Sequence, residues 1–238
     1  MDSRGRVKLA LEHREPDRVP IHDSPWQTTV SRWRGEGLPP RVSAADYFGF
    51  ELAGFQADTS PMFPVEVLYE DEEHVVRRDS FGGVRKNHRD RERWPRAMFV
   101  DYSCKSRRDW EELKPRLEAS DQRVNWPAGL QRFRRERRLG RFITYNAAVG
   151  YDKIQKYVAP ERLLRAVITE PDWVRDMYAT DARLVMEMCD RMTKRGFVFD
   201  GAFLLRPGLQ EGPLLLPQAL RGAAAPRLQG ALQLLPRT

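Results

Sequence analysis

Residues 171–203 read PDWVRDMYATDARLVMEMCDRMTKRGFVFDGAF, an amphipathic stretch followed by a glycine and a short apolar run. Pro171 suits the first turn of a helix, and apolar side chains such as Met177 and Met188 recur on related faces. The pattern therefore predicts a long helix that ends at Gly196, followed by the strand FVFDGAF. A helix that leads directly into a strand is typical of an α/β fold.

The same alternation extends from this stretch towards the N-terminus. Residues 127–138 predict a basic helix and RFITYNA (141–147) predicts the strand after it. A helix over residues 3–13 is followed by RVPIHDS (18–24), which predicts a buried strand. Repeated strand–helix units predict a parallel sheet, but roughly four or five strands can be counted where a (β/α)8 barrel has eight. We therefore expect an incomplete TIM barrel.

One block interrupts this alternation. Residues 65–88 combine alternating apolar and charged side chains with the pair Gly82-Gly83, which predicts an antiparallel ribbon with a tight turn. Polar residues follow the predicted parallel strands, namely His22, Asp23, Asp58, Asn146 and Asp200. Because active sites of such barrels lie at the C-terminal ends of the strands, these residues are candidates for the site.

The composition excludes a disordered chain, since 41% of the residues are apolar and 32% are charged. Residues 1–203 contain 37 Lys and Arg against 33 Asp and Glu, so most of the basic charge is balanced. This balance makes nucleic acid an improbable partner. The exception is QRFRRERRLGR (131–141), whose six arginines would point several ways around a helix and leave an anion-binding role open.

The two cysteines, Cys104 and Cys189, have no CxxC or HxC companion, so the sequence predicts no metal site. The N-terminus lacks an apolar signal segment, and proline and arginine interrupt the Leu-rich C-terminus. We therefore expect a cytoplasmic protein that does not contact a membrane.

The order of segments resembles the uroporphyrinogen decarboxylase superfamily, (β/α)8 barrels that include the haem-pathway decarboxylase and corrinoid-linked methyltransferases. The resemblance covers roughly residues 3–203, and the stretches that carry it are RVKLALEHREPDRVPI, ELAGFQADTSPMFPVEVL, YVAPERLLRAVITEPDWVRDM and GFVFDGAF. The resemblance implies a small-molecule substrate, either a tetrapyrrole or a methyl donor, and it allows a homodimer of the intact barrel.

The resemblance also suggests roles for individual residues. Asp58 matches the catalytic aspartate of the decarboxylases, although an Asx-turn before Pro61 is an equal alternative. Tyr157 lies near the substrate-facing tyrosine of the family and is the second catalytic candidate.

Five further residues are candidates for binding the substrate: His22, Asp23, Trp26, Asn146 and Asp200. Burial of Trp26 between helix and barrel, and a structural role for His22, are the competing interpretations. Asp200 is placed at the end of a strand.

The segment HDSPWQTT lacks the R-Q-A-G-R motif that binds carboxylates in the decarboxylases. This departure favours a methyltransferase-like paralogue over the authentic decarboxylase of porphyrin biosynthesis, which remains the alternative. A decarboxylase would need no cofactor, whereas an intact methyltransferase-like relative would use zinc and a corrinoid protein as partner. A non-enzymatic anion or nucleic-acid binder acting through Arg132–Arg141 is the third interpretation.

The amino-acid composition changes at residues 204–238, where eleven of the 35 residues are Leu and almost all others are Pro, Ala, Gly, Gln or Arg. Such a composition is typical of a GC-rich gene that is read out of frame. We therefore expect a barrel fragment over residues 1–203 and a tail without native-like structure. Since the closing strands would be lost, we expect this chain to lack full activity.

Overall fold

The computed structural model describes residues 1–90 and 97–205, which form two sheets and a set of covering helices. The helices are α1 (Ser3–Leu11), α2 (Gln27–Gly35), α3 (Ala44–Tyr47), α4 (Arg107–Leu113), α5 (Trp126–Arg138), α6 (Tyr151–Ile154), α7 (Pro160–Thr169) and α8 (Pro171–Lys194), with 3-10 turns at Lys114–Leu117 and Asp121–Arg123. The strands are β1 (Leu52–Phe55), β2 (Glu66–Glu70), β3 (His74–Arg78), β4 (Val84–His88), β5 (Met98–Asp101), β6 (Phe142–Ala148) and β7 (Gly201–Leu205).

The first sheet is parallel and has the strand order β1-β6-β7. Leu52 of β1 lies opposite Phe142 of β6, and Thr144 of β6 lies opposite Gly201 of β7. Parallel pairing needs a crossover connection, and helices supply it both between β1 and β6 and between β6 and β7. The predicted α/β class with a parallel sheet is therefore confirmed. The described strands leave both edges of this sheet open and do not close into a barrel.

Helix α8 is confirmed from its first residue to its end. It starts at Pro171 and stops before Gly196, whose φ of 99° suits glycine and turns the chain towards β7. Its apolar face is buried, with Met177 0% exposed. The hydroxyl of Tyr145 on β6 donates to the carbonyl oxygen of Val185 at 3.0 Å, which ties the sheet to the middle of the helix.

The second sheet is the predicted antiparallel ribbon, with the strand order β2-β3-β4-β5. The turn between β3 and β4 is built around Asp79, whose carboxylate accepts from the backbone amides of Phe81 at 2.9 Å and Gly83 at 3.1 Å. Gly82 has a φ of 76° in this turn, which favours glycine. Strand β2 is exposed along its whole length, so this sheet is a surface insertion rather than part of the parallel layer.

The predicted strand over residues 18–24 is wrong. The segment has no strand structure, and Val19 is 79% exposed. It is held beside β1 by Glu51, whose amide donates to the carbonyl oxygen of Ile21 at 2.8 Å and whose carboxylate accepts from the amide of Ile21 at 2.7 Å. Arg18 and Arg6 pair with the same carboxylate, so polar contacts rather than strand pairing fix this segment.

The last strand also begins later than the sequence pattern predicts. Residues 197–200 precede β7, which starts at Gly201. The strand continues through residues 204 and 205, the first two positions of the tail. The rest of the tail, residues 206–238, lies outside the described residues.

No helix in the described parts of the chain is both long and apolar enough to cross a membrane. Helix α8, with 24 residues, would satisfy the length requirement alone. It carries charged residues along its length, including Asp172, Arg183 and Lys194.

Candidate functional site

The structure brings three of the predicted site residues into one open cleft of about 760 Å³ beside the free edge of β1. His22 and Asp23 come from the segment before α2, and Asn146 comes from β6. The other residues that line it are Ser24, Arg41, Ser43, Ala45, Asp46, Phe50, Leu52, Ala53, Gly54, Ala128, Gln131, Arg132, Arg135, Glu136, Arg138 and Arg141. The cleft is therefore bounded by the sheet edge, helix α5 and the segments before α2 and α3.

Asn146 is fixed in this cleft by its neighbours. Its side-chain oxygen accepts a hydrogen bond from the hydroxyl of Thr144 at 2.7 Å. The amide lies so close to Gly54 of β1 that a Cβ at position 54 would overlap with it. Glycine at that position therefore leaves the space in which the Asn146 amide lies against β1.

His22 and Asp23 line the same cleft from the segment before α2. The imidazole contacts the ring of Phe50 edge-on at 6.1 Å, and this partial burial lowers the pKa of His22 while the nearby Asp23 acts to raise it. The carboxylate of Asp23 accepts from the amide of Ser24 at 2.7 Å. A neutral imidazole beside a carboxylate is able to take or share a proton at neutral pH.

Five arginines and three carboxylates line the cleft, so its formal charge is positive. Sequence reasoning expected the arginines of residues 131–141 to point several ways, yet four of the six line this one cleft. Residues 132, 135 and 138 follow the spacing of one helix face, and Arg141 directly precedes the next strand, β6. Arg134 and Arg137 lie outside the lining.

Two of these arginines take part in a partly buried network with two carboxylates. Arg141 contacts Glu136 at 2.5 Å and Asp46 at 2.6 Å, while Arg135 contacts each of the same two carboxylates at 2.7 Å. Partial burial acts to raise the pKa of Asp46, but hydrogen bonds from Ser43 and the two arginines outweigh it and lower the pKa to about 2. The network joins α3 to α5 and fixes this wall of the cleft.

Asp58 lies beyond the end of β1 and outside the cleft lining. Its side chain accepts from the amide of Ser60 at 2.8 Å, which is the Asx-turn weighed as the alternative to catalysis. The buried side chain of Arg123 donates to the carbonyl oxygens of Asp58 at 2.9 Å and Ser60 at 2.8 Å and so fixes the loop. Asp58 itself is exposed, so its carboxylate remains accessible.

Tyr157, the second predicted catalytic residue, is 0% exposed. Its ring stacks between Phe81 and Trp110, with ring centroids 6.3 and 6.2 Å away. The hydroxyl has no hydrogen-bond partner among the described residues. Burial raises the pKa of Tyr157 well above its ordinary value, so the phenol is neutral and faces the core rather than the cleft.

A buried ion pair near Tyr157 was missed by sequence reasoning. Lys153, on α6, pairs with Asp181, in the middle of α8, and each side chain is 1% exposed. Burial lowers the pKa of Lys153 and raises the pKa of Asp181, while the attraction between the two opposes both shifts. No local pattern signals this pair, because each residue lies in a helix-like segment whose charged side chains are typical of a solvated surface.

The two remaining predicted residues lie elsewhere. Trp26 is 71% exposed and does not line the cleft, so its expected burial between helix and barrel is wrong. Asp200 precedes β7, so its expected position at the end of a strand is also wrong. Its carboxylate contacts Arg4 at 2.8 Å and Arg137 at 2.7 Å, and its backbone amide donates to the carbonyl oxygen of Ile143 at 2.7 Å.

Within the described residues no three His, Cys, Asp or Glu side chains come together in a way that could hold a metal ion. Burial raises the pKa of Cys104 to about 12 and that of Cys189 to about 11, so both thiols are protonated at neutral pH.

Comparisons of the chain with protein-family models, with curated proteins and with solved structures found no match.

Proposed function

We propose that this chain is part of a barrel enzyme of the uroporphyrinogen decarboxylase type and that the cleft beside β1 binds its small-molecule substrate, a tetrapyrrole or a methyl donor. The observation that carries the proposal is the meeting of His22, Asp23 and Asn146 in one cleft, although they come from separate parts of the sequence. A concave site with a few convergent polar groups is the usual form of a small-molecule site.

The positions of the arginine side chains bear on the choice between the two branches of the family. The absence of arginine from HDSPWQTT favours a methyltransferase-like paralogue, which would work with a corrinoid protein. The five arginines of the cleft favour the alternative, a decarboxylase acting on a carboxylate-rich tetrapyrrole, because guanidinium groups bind carboxylates in a two-pronged geometry. We retain the methyltransferase-like branch as the first proposal and the decarboxylase as the second.

Binding of the two substrate classes separates these branches. Calorimetric titration of the purified chain with methylcobalamin in one arm and uroporphyrin in the other measures which ligand saturates the protein. We expect one of the two to bind, and we expect Asn146→Ala to weaken that binding by roughly tenfold, since a buried amide contributes about 1–1.5 kcal/mol. Gln122→Ala, at an exposed position outside the cleft, is the matched control.

We expect binding without turnover, because Tyr157 is enclosed in the core and the described strands do not close a barrel. Conversion of either ligand by the purified chain would contradict this expectation. Failure of both ligands to bind, or an equal effect of the Asn146 and Gln122 substitutions, would refute the proposed substrate cleft.

A non-enzymatic binder of anions or nucleic acid is a further candidate, and the arginine-rich face of α5 favours it. Nucleic-acid binding depends steeply on salt, because phosphate contacts release counterions. Titration with a single-stranded oligonucleotide at two salt concentrations tests this candidate. Binding that weakens steeply with salt and depends equally on all six arginines of residues 131–141 would favour it over the enzyme.

A further inference from the structure

We propose that Arg41, Arg132 and Arg138 form an anion subsite within the cleft, specific for a small organic dianion such as a phosphomonoester or a dicarboxylate. The inference rests on the proposed function only for the location of the subsite in a substrate cleft. The residues that carry it are different from His22, Asp23 and Asn146.

The first step is the charge balance of the cleft. Arg135 and Arg141 are neutralised by Asp46 and Glu136 in the network described above. The other three cleft arginines are exposed and form no ion pair with any side chain in the described part of the chain. The cleft therefore contains three uncompensated guanidinium groups, while Asp23 is the one lining carboxylate outside the network.

The second step is the placement of these groups. The guanidinium of Arg132 lies over the ring of Phe55, with its carbon 4.5 Å from the ring centroid, so it is held beside β1. In the described part of the chain the group has no hydrogen-bond or ion-pair partner, so its N–H groups are available for a ligand. Arg138 lies further along the same face of α5.

Arg41 lines the same cleft from a different element, the loop between α2 and α3. This loop is fixed by Arg34, whose guanidinium donates to the carbonyl oxygens of Leu38 at 3.3 Å and Val42 at 2.8 Å. Three cations on two fixed elements thus face one space. Such an arrangement favours a ligand with more than one negative charge, because a single carboxylate would leave at least one guanidinium unpaired.

The third step is the size of the ligand. A cleft of about 760 Å³ is within the range of small-molecule sites. A nucleic acid would need a continuous basic surface, yet Arg137 on the adjoining face of α5 is paired with Asp200. The charge is therefore concentrated in the cleft, which favours a small anion over a nucleic acid.

The test is calorimetric titration of the full chain with inorganic phosphate in one arm and succinate in the other, both at millimolar concentration. We expect saturable binding in at least one arm, with the stronger arm identifying the anion class. The double variant Arg132→Gln/Arg138→Gln should weaken that binding at least tenfold. Arg134→Gln is the matched control, because Arg134 is exposed on the same helix but does not line the cleft.

Arg41→Gln keeps the test informative if the double variant fails to fold, since this exposed loop residue contributes no described contact to the core. It should also weaken anion binding. The proposal is overturned if neither anion binds, or if Arg134→Gln weakens binding as much as the cleft variants do, because the charge of the whole helix would then be responsible.

The outcomes separate this inference from the proposed function. Phosphate or succinate binding that depends on the cleft arginines, without any binding of methylcobalamin or uroporphyrin, would leave the anion subsite standing and refute the substrate proposal. Binding of methylcobalamin or uroporphyrin that does not depend on Arg132 or Arg138 would support the substrate proposal and refute the anion subsite.

Discussion

Replacing Lys153 by methionine should destabilise the chain strongly, because it leaves the carboxyl group of Asp181 buried without its cation. Both side chains are 1% exposed, so water cannot compensate for the lost partner. Removing one member of a buried pair typically costs about 3–5 kcal/mol. For a chain of this size about 1 kcal/mol shifts the melting temperature by about 2–4 °C, so the expected loss is roughly 6–20 °C.

The pH dependence of the Lys153→Met variant follows from the direction of the shift at Asp181. Burial raises the pKa of this carboxyl in the folded state, and the variant removes the lysine that opposes the shift. The folded state then holds a proton that the unfolded state releases, so stability falls as pH rises above the ordinary Asp value. The variant should therefore lose less stability at about pH 5 than at about pH 8.

The assay is thermal and urea unfolding followed by circular dichroism, with two controls. Lys153→Met/Asp181→Leu removes both charges and should recover most of the loss, because an apolar pair of similar volume often matches a buried ion pair. Lys194→Met breaks the exposed pair with Asp190, where the side chains are 74% and 53% exposed, and should cost less than about 1 kcal/mol. The reasoning is refuted if Lys153→Met melts with the native chain or if the double variant is no more stable than the single one.

Three further predictions concern single residues. Asp58→Asn should leave the unfolding midpoint unchanged, because the amide oxygen can still accept from the backbone amide of Ser60 in the Asx-turn; a clear fall in the midpoint would contradict this structural role of the side chain. Cys104 and Cys189 should react with a thiol reagent at about pH 8 only after unfolding, since buried thiols with raised pKa values hold little thiolate; rapid modification of the folded chain would contradict their burial. The lowered pKa of Asp46 contributes stability at pH values above the ordinary Asp pKa, and this stability is lost as pH falls through about 2. Asp46→Asn should remove this part of the acid dependence of stability, as measured by urea unfolding at different pH values. An unchanged pH profile would contradict the network.

Elements with strong local signals could be predicted from the sequence. Helix α8 has a proline at its start, a glycine after its end and an apolar face between them, so its bounds were predicted almost to the residue. The antiparallel sheet was predicted because alternation and the Gly82-Gly83 turn are local features. In both cases the information lies within the element itself.

Elements that depend on a partner could not be predicted in the same way. RVPIHDS has the apolar character of a strand, but a strand forms only where a neighbour accepts its backbone hydrogen bonds. The carboxylate of Glu51 accepts a hydrogen bond from the amide of Ile21 and forms ion pairs with Arg6 and Arg18, so polar contacts replace the sheet pairing. A polar contact also replaces strand pairing before β7, because the side chain of Asp200 accepts a hydrogen bond from the amide of Ile143 at 2.9 Å.

The candidate site was predicted in part for a related reason. The sequence identified His22, Asp23 and Asn146 as polar residues near strand ends, and these three do meet in the cleft. Their meeting with the arginines of α5 depends on how that helix lies against the sheet, and no local pattern reports this. The Lys153–Asp181 pair was missed for the same reason, because each residue alone is typical of a solvated helix.

The unpaired edge of β1 and the arginine-lined cleft are two consequences of one feature. Residues 18–24 do not form a strand on β1, and no other strand among the described residues pairs with its outer edge; an unpaired edge is a template for aggregation. Charged side chains beside an edge oppose this, and Arg132 lies directly over Phe55 of that strand. The same cations are the ones that lack carboxylate partners, so a bound dianion would neutralise the charge while occupying the space beside the edge. In the free chain the charged side chains would then protect the edge of β1 from aggregation, and in the complex the bound ligand would protect it by filling the space beside the edge. Ligand binding should also raise the stability of the folded chain by mass action, without exposing the strand.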